Sequence, residues 1–147
     1  MGYYSYVGAA IGGKPNLIRD FIASLPKDIS ENNIIHQFKM IVMNPHFAVF
    51  TYYSRQCKWY EEEQDAWKDL TDRAHAANLP FILCRTGENL DDYEMRESDD
   101  GNLSERHALQ ELFSFVHCVD AHHFINHLDA PRCINKAFKR GYSALRR

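Results

Sequence analysis

Short runs of β-branched and aromatic residues, separated by glycine, proline and asparagine, recur along the chain and predict strands. Asn44 and Pro45 separate two neighbouring runs, and so short a link favours an antiparallel hairpin. Gly12 and Gly13 follow the first run and predict a turn that ends it. The predicted strands are Tyr3–Ile11, Gln37–Met43, His46–Tyr53, Phe81–Arg85, Tyr93–Arg96 and Leu112–Val119.

Apolar residues at helical spacing predict helices between and after the strands. Pro15 suits the first turn of a helix, and the residues after it form an apolar stripe. That stripe consists of Leu17, Ile18, Phe21, Ile22 and Leu25. Residues 61–77 form the clearest helix, because an acidic first turn matches the positive end of the helix dipole. Its apolar face consists of Trp67, Leu70 and Ala74. The apolar patterns over residues 121–128 and 134–145 also predict helices. The pattern over residues 104–110 does not indicate which secondary structure they form.

This order of elements predicts a single α+β domain over residues 1–147. We expect a mostly antiparallel sheet of about five strands covered by helices, with a basic helix at the C-terminal end. A hydrophobic content of 45% and a charged content of 25% are typical of globular proteins and exclude disordered and coiled-coil classes. The chain has no internal repeat and no low-complexity linker that would divide it.

Aromatic residues make up 13% of the chain and concentrate in or just after the predicted sheet. Those concerned are Tyr3, Tyr4, Tyr6, Tyr52, Tyr53, Trp59 and Tyr60. Most of them are expected in the core. If helices cover only one face of the sheet, the other face presents several of them to a partner, because Tyr and Trp bury large areas at low entropic cost.

Neither a signal peptide nor an apolar run of about 18 residues is recognisable, so we expect no membrane association. The four cysteines are widely spaced and form no CxxC pair, which favours free thiols over a disulfide framework. Together these features predict a cytoplasmic protein.

The formal net charge of −3 conceals strongly segregated charges. Residues 61–111 contain fifteen acidic and five basic residues, a net charge of −10. Residues 1–60 carry a net +3, residues 112–121 a net −1 and residues 122–147 a net +5. The mild total argues against a general nucleic-acid binder and against a polyanionic DNA mimic. The segregation points to a charged interaction surface or to neutralisation between segments of the fold.

Three motifs occur in order along the first two thirds of the chain: Tyr3-Tyr4-Ser5, Lys58-Trp59-Tyr60 and the acidic segment from Arg85 to Glu94. This pattern resembles a family of small phage and prophage proteins that have a YYS-like strand, a KWY motif, a helix and an R-x-G-E-x-x-D-D-x-E segment. The resemblance covers roughly residues 3–97. It implies a phage-encoded accessory protein that acts in the host cytoplasm, and proteins of this size class include inhibitors of CRISPR and other defence systems.

The acidic segment itself contains Glu88, Asp91, Asp92 and Glu94. Carboxylates at this density bind a divalent cation or a basic patch of a partner, or form a turn held by local salt bridges. Arg85 lies just upstream and is placed to neutralise one of them. The spacing differs from that of an EF-hand, which disfavours calcium.

Four histidines, His117, His122, His123 and His127, fall within eleven residues. His123 and His127 would share one face of a helix, and with Cys118 or Asp120 they offer ligands for zinc. The sequence lacks both H-E-x-x-H and CxxC patterns, so ordinary surface and core histidines are the alternative. A metal-binding protein or metal-dependent enzyme is therefore an alternative function, with zinc as its cofactor.

The C-terminal segment offers a third function. Lys136, Lys139 and Arg140 would cluster on one face of a helix, where they could contact phosphates of a nucleic acid. A solvated amphipathic helix gives the same pattern without any ligand.

The leading hypothesis is a protein without catalytic activity that binds and inhibits a host protein complex, such as a nucleic-acid-binding defence effector. No nucleophile elbow, P-loop or dinucleotide-binding motif is present, although this leaves enzymatic activity open. No cofactor is expected, apart from zinc in the alternative function. A homodimer is a further possibility for the assembly of the chain. The residues expected to contact the partner are Trp59, Tyr60, Glu61, Glu62, Glu63, Glu88, Asp91, Asp92 and Glu94.

Overall fold

The computed structural model describes residues 4–27, 34–58, 61–86 and 93–112. The strands are β1 (Tyr4–Gly13), β2 (Lys39–Asn44), β3 (Phe47–Lys58), β4 (Phe81–Thr86) and β5 (Tyr93–Glu97). The helices are α1 (Pro15–Ser24), α2 (Glu61–Ala76) and α3 (Leu103–Leu112), and a 3₁₀ turn spans Ile34–Gln37. None of the described helices is long and apolar enough to cross a membrane.

The five strands form one sheet in the order β2-β3-β1-β4-β5, and every neighbouring pair is antiparallel. The predicted hairpin is confirmed as β2 and β3, joined by a turn at Pro45 and His46. Strand β1 lies at the centre, where Ala9 is aligned with Tyr52 of β3 on one side and with Leu83 of β4 on the other. The predicted α+β class with a mostly antiparallel sheet of about five strands is thus confirmed.

Both faces of the sheet are buried, and each carries its own apolar cluster. Side chains alternate between the two faces along β3, because Ala48, Phe50 and Tyr52 belong to one cluster while Phe47 and Val49 belong to the other. Thr51 is also buried, and its hydroxyl donates a hydrogen bond of 2.8 Å to the carbonyl oxygen of Ala9.

Helices α1 and α2 cover the first face. Their members of the first apolar cluster are Ile18 and Phe21 of α1, with Leu25 just after it, and Trp67, Leu70 and Ala74 of α2. The predicted apolar face of α2 is therefore confirmed. One residue of the apolar stripe predicted for α1 does not face the core, because Leu17 is 44% exposed. The apolar run of α1 is wider than the surface that the sheet offers it, so its edge residue remains in solvent.

The second face packs against α3 through Ala108 and Leu109, which meet Phe47 and Ile82 in the second apolar cluster. Gly12 and Gly13 do not form a turn after β1, as the sequence predicted, but are the last two residues of the strand and align with Val49 and Ala48 of β3. A side chain at Gly12 would come within 2.9 Å of Phe47 Cε1, so glycine serves close packing here and not a turn.

The ambiguous segment over 104–110 belongs to α3. Its start is held by a reciprocal capping box, in which Asn102 Oδ1 accepts a hydrogen bond of 2.8 Å from the Glu105 N–H. Glu105 Oε1 accepts one of 3.0 Å from the Asn102 N–H. Leu112, predicted to start a strand, is the last residue of α3. The remainder of that prediction, residues 113–119, and the helices predicted over 121–128 and 134–145 lie outside the described residues.

This capping box yields a stability prediction. Asn102→Ala removes the side-chain acceptor and should lower the free energy of unfolding by about 1 kcal/mol, whereas Asn102→Ser keeps an acceptor and should stay close to the wild type. Urea unfolding followed by circular dichroism measures both variants. Equal stabilities for Asn102→Ala and Asn102→Ser would show that the cap contributes nothing.

Candidate functional site

The solvent side of α2 carries a stripe of carboxylates. Asp65, Asp69 and Asp72 follow the i, i+4, i+7 spacing that places side chains on one helix face, and all three are exposed. The opposite face buries Trp67 and Leu70 against the sheet. The amphipathic pattern of α2 therefore orients the acidic stripe away from the core.

Two bases on α2 pair with this stripe. Lys68 Nζ lies 2.8 Å from Asp72 Oδ2, and Arg73 Nε lies 3.0 Å from Asp69 Oδ2. The hydrogen bond to Asp72 and its negative charge raise the pKa of Lys68. Asp65 has no ion-pair partner within the part of the chain that the structure describes. Such exposed pairs hold little energy, so a partner's cations compete with them readily.

A groove of about 440 Å³ lies between α1 and α2, beside this stripe. The core residues Phe21 and Leu79 form part of its lining, and the exposed Leu17 borders it on α1. Asp20 adds a carboxylate from α1, and Arg73 reaches the groove from α2. The full lining is Leu17, Asp20, Phe21, Ser24, Arg73, Ala76, Ala77 and Leu79. A mostly apolar groove with charged residues at its border suits an apolar side chain flanked by polar ones.

In the last turn of α2, a histidine forms a pair with an aspartate that joins this helix to the turn before α3. His75 Nδ1 lies 2.9 Å from Asp100 Oδ2 and 3.1 Å from its Oδ1. The side chain of His75 is 76% exposed and that of Asp100 only 13%. The hydrogen bond to Asp100 and the charge of that carboxylate raise the pKa of His75, and Asp72 adds to this.

The same turn holds a buried carboxyl group. Glu105 is only 7% exposed, and desolvation raises its pKa although the Asn102 N–H and the charge of Lys14 act in the opposite direction. Gly101 has a φ of +73°, and a side chain there would meet Pro80 Cδ at 2.5 Å and Glu105 Oε1 at 2.7 Å. Its N–H donates to Asn78 Oδ1 at 3.2 Å, which ties the turn to the end of α2.

Glu94 is the one member of the predicted acidic segment that the structure describes. It lies on β5, where Arg85 Nε approaches its Oε2 at 3.3 Å and Arg96 pairs with its other oxygen. The expected neutralisation of one carboxylate by Arg85 is therefore observed. A partner would have to displace two guanidinium groups before it could use Glu94.

The other predicted site residues are described only in part or not at all. Glu61, Glu62 and Glu63 form the first turn of α2, which fixes their backbone at the start of the acidic helix. Lying outside the described residues are Trp59, Tyr60, Glu88, Asp91, Asp92, His117, His122, His123, His127, Lys136, Lys139 and Arg140.

The described aromatic side chains belong to the core. Phe38 stacks on Phe50 and Tyr52 at ring distances of 4.9 Å and 5.4 Å, and Trp67 meets Phe81 edge-on at 6.0 Å. Tyr52 is thus a core residue, so the expected aromatic contribution to a binding surface rests on aromatic side chains that the structure does not describe.

Residues 4–27, 34–58, 61–86 and 93–112 contain no cluster of three or more His, Cys, Asp or Glu side chains arranged to hold a metal ion. Cys84 is buried, and desolvation raises the pKa of its thiol to about 12, which keeps it protonated at neutral pH.

Comparison with protein-family models, with curated proteins and with solved structures yields no match to this chain. The candidate site is therefore defined by its own geometry. Sequence reasoning overlooked the stripe of Asp65, Asp69 and Asp72, although its helical spacing was visible in the sequence. The pairing of His75 with Asp100, 25 residues apart, carries no such local signal.

The His75–Asp100 pair predicts a pH-dependent contribution to stability. Since the folded-state pKa is raised from 6.5, the contribution should be complete below that value and disappear as pH rises through the folded-state pKa. An NMR titration should give His75 a pKa above its ordinary value in the wild type. Asp100→Asn should return it towards 6.5, and an unchanged titration would contradict the pairing.

The burial of Glu105 predicts how the free energy of unfolding changes when its charge is removed. Since burial raises its folded-state pKa above 4.5, its ionisation destabilises the fold at neutral pH and this cost disappears as pH falls. Glu105→Gln retains the capping hydrogen bonds and should be more stable than the wild type at pH 7, with the difference vanishing below about pH 4.5. The matched change Glu97→Gln, at an exposed position, should show no such gain in urea unfolding.

Proposed function

We propose that this protein binds a host protein complex and inhibits it, and that the solvent side of α2 with the adjoining groove is its contact surface. The observation that carries the proposal is the juxtaposition of the stripe of Asp65, Asp69 and Asp72 with the groove lined by Leu17 and Phe21. Charge gives such a surface selectivity and fast association, and an apolar pocket gives it affinity.

The charge of the surface selects a basic partner. Residues 61–111 carry a net charge of −10. The exposed carboxylates of α2 contribute to this negative charge. A basic groove that binds nucleic acid offers the complementary potential, so occupation by α2 would exclude the nucleic acid. This supports a nucleic-acid-binding effector as the target.

The groove supplies the apolar contact that gives the proposed surface its affinity. Leu17 is a large apolar side chain left in solvent, and it borders a groove that reaches Phe21 and Leu79. An apolar or aromatic side chain of the partner would bury this surface at the centre of the contact, with Asp20 and Arg73 at the polar rim.

The motif resemblance supports the biological setting of the proposal. The YYS, KWY and R-x-G-E-x-x-D-D-x-E motifs resemble those of small phage and prophage proteins, and for such proteins the inhibition of CRISPR or another defence system is a concrete role. Trp59, Tyr60, Glu88, Asp91 and Asp92 remain proposed contact residues on this basis.

Affinity purification of the tagged full chain from host cells, followed by mass spectrometry, tests the proposal. Asp65→Lys/Asp69→Lys should weaken partner binding by at least about tenfold, because like charges then face each other. Leu17→Lys should weaken it as well, since it places a charge at the apolar groove. Reversal of two other exposed carboxylates, Glu97→Lys/Asp99→Lys, is the matched control and should retain binding.

Thermal unfolding of every variant separates loss of binding from loss of structure. If the α2 variants bind like the wild type while Asp91→Lys/Asp92→Lys/Glu94→Lys does not, the contact surface lies on the acidic segment and the α2 site is wrong. Recovery of no specific partner by the wild type from cells that harbour its target would contradict the function itself.

A further inference from the structure

The connection between β5 and α3, residues 98–102, is fastened to the rest of the fold at short intervals. The Phe81 N–H of β4 donates a hydrogen bond of 2.9 Å to Ser98 Oγ, and the Ser98 N–H donates one of 3.1 Å back to the Phe81 carbonyl oxygen. The Gly101 N–H donates to Asn78 Oδ1, just after α2. This connection therefore determines where α3 begins relative to β4 and α2.

The first turn of α3 is held weakly apart from its capping box. Ser104 Oγ and Arg106 Nε are buried and find no hydrogen-bond partner among the residues that the structure describes. Arg106 Nη1 lies 4.0 Å from Oδ1 of the fully exposed Asp99, so this ion pair adds little. Because buried polar atoms without hydrogen bonds destabilise a helix, the attachment of α3 depends on Ala108, Leu109 and the connection before it.

A titratable pair joins this connection to α2. His75 places Nδ1 2.9 Å and 3.1 Å from the two carboxylate oxygens of Asp100. Asp100 is largely buried, so water stabilises its charge only in part, whereas the exposed His75 exchanges protons directly with solvent. The charged side chains that act on the imidazole are Asp100 and, on its own helix, Asp72, and both favour its protonated form.

A second titratable group acts in the same direction at the other end of the connection. Glu105 is buried at the start of α3, and its carboxylate accepts the capping hydrogen bond from the Asn102 N–H. The charge of Lys14, just before α1, favours the ionised form of Glu105, while burial favours the neutral form. Since burial has the larger effect, protonation of Glu105 stabilises the start of α3, as protonation of His75 stabilises the link to α2.

We propose that residues 98–102 form a proton-sensitive latch, which holds α3 on the sheet more firmly in weakly acidic than in weakly alkaline solution. When His75 loses its proton, its ring can still donate a hydrogen bond to Asp100, but the charge-assisted part of this bond is lost. The largely buried Asp100 then loses the positive charge of His75, which weakens the latch. Gly101 alone separates Asp100 from Asn102, so the loosening reaches the cap of α3 directly.

Opening of the latch releases α3 from the second face of the sheet. Ala108 and Leu109 then leave Phe47 and Ile82, which uncovers part of the second apolar cluster. Because the folded-state pKa of His75 is raised from 6.5, the latch is fully closed below that value and loosens as pH rises through the folded-state pKa. The inference is independent of the proposed function, since α3 and α2 cover opposite faces of the sheet.

Amide hydrogen exchange of the full chain tests the proposal, when it is followed by NMR at about pH 6 and about pH 8 and corrected for intrinsic exchange rates. The amides of residues 108–110 should exchange through a local opening, with an opening constant larger than that of Ala9 and Ala10 in β1. This constant should rise at least about threefold between the lower and the higher pH.

Two variants identify the proton that controls the latch. His75→Gln retains a side-chain donor for Asp100 but cannot be protonated, so it should abolish the rise in the opening constant. His46→Gln makes the same change at an exposed histidine in the turn between β2 and β3 and should keep the rise. The proposal is overturned by an opening constant of residues 108–110 that equals that of β1 or does not change with pH. A rise that His75→Gln retains, or that His46→Gln abolishes, overturns it as well.

Discussion

Close packing around the central strand β1 is the constraint on which the rest of the structure depends. β1 pairs with β3 and β4, so every layer must fit against it. A side chain at Gly12 would lie 3.2 Å from Leu109 Cδ2 of α3, and one at Gly13 would lie 2.7 Å from Leu79 Cδ2. The small residues at the end of β1 thus set how closely α3 and the end of α2 approach the sheet.

Burial of both faces at the centre of this sheet determines where the protein can meet a partner. Ala9 and Ala10 of β1 face opposite clusters and are both fully enclosed. The described surfaces left for recognition are the outer sides of the helices and the edges of the sheet. The amphipathic character of α2 places carboxylates on one of them.

Periodicity predicted the elements because it records which side of each element meets the core. The alternation of Phe47 and Ala48 and the helical spacing of Trp67 and Leu70 both follow from this. The apolar periodicity gave the wrong result, or none, at positions whose structure depends on something other than apolar spacing. Leu17 fits the apolar stripe but lies beyond the sheet, and the capping pattern from Asn102 to Glu105, which would have identified α3, is a hydrogen-bond signal and not an apolar one.

The acidic charge of the candidate site could be predicted from the sequence, but its location on α2 could not. All five bases within residues 61–111 pair with acids of the same segment: Lys68 with Asp72, Arg73 with Asp69, Arg85 and Arg96 with Glu94, and Arg106 with Asp99. The segment therefore has no further cations with which to neutralise its net charge of −10. Solvent and counterions screen this excess in the free protein, and the proposed partner would supply the opposing charge. Among the described carboxylate side chains of α2, Asp65 alone has no ion-pair partner, so a partner's cation can approach it without displacing one.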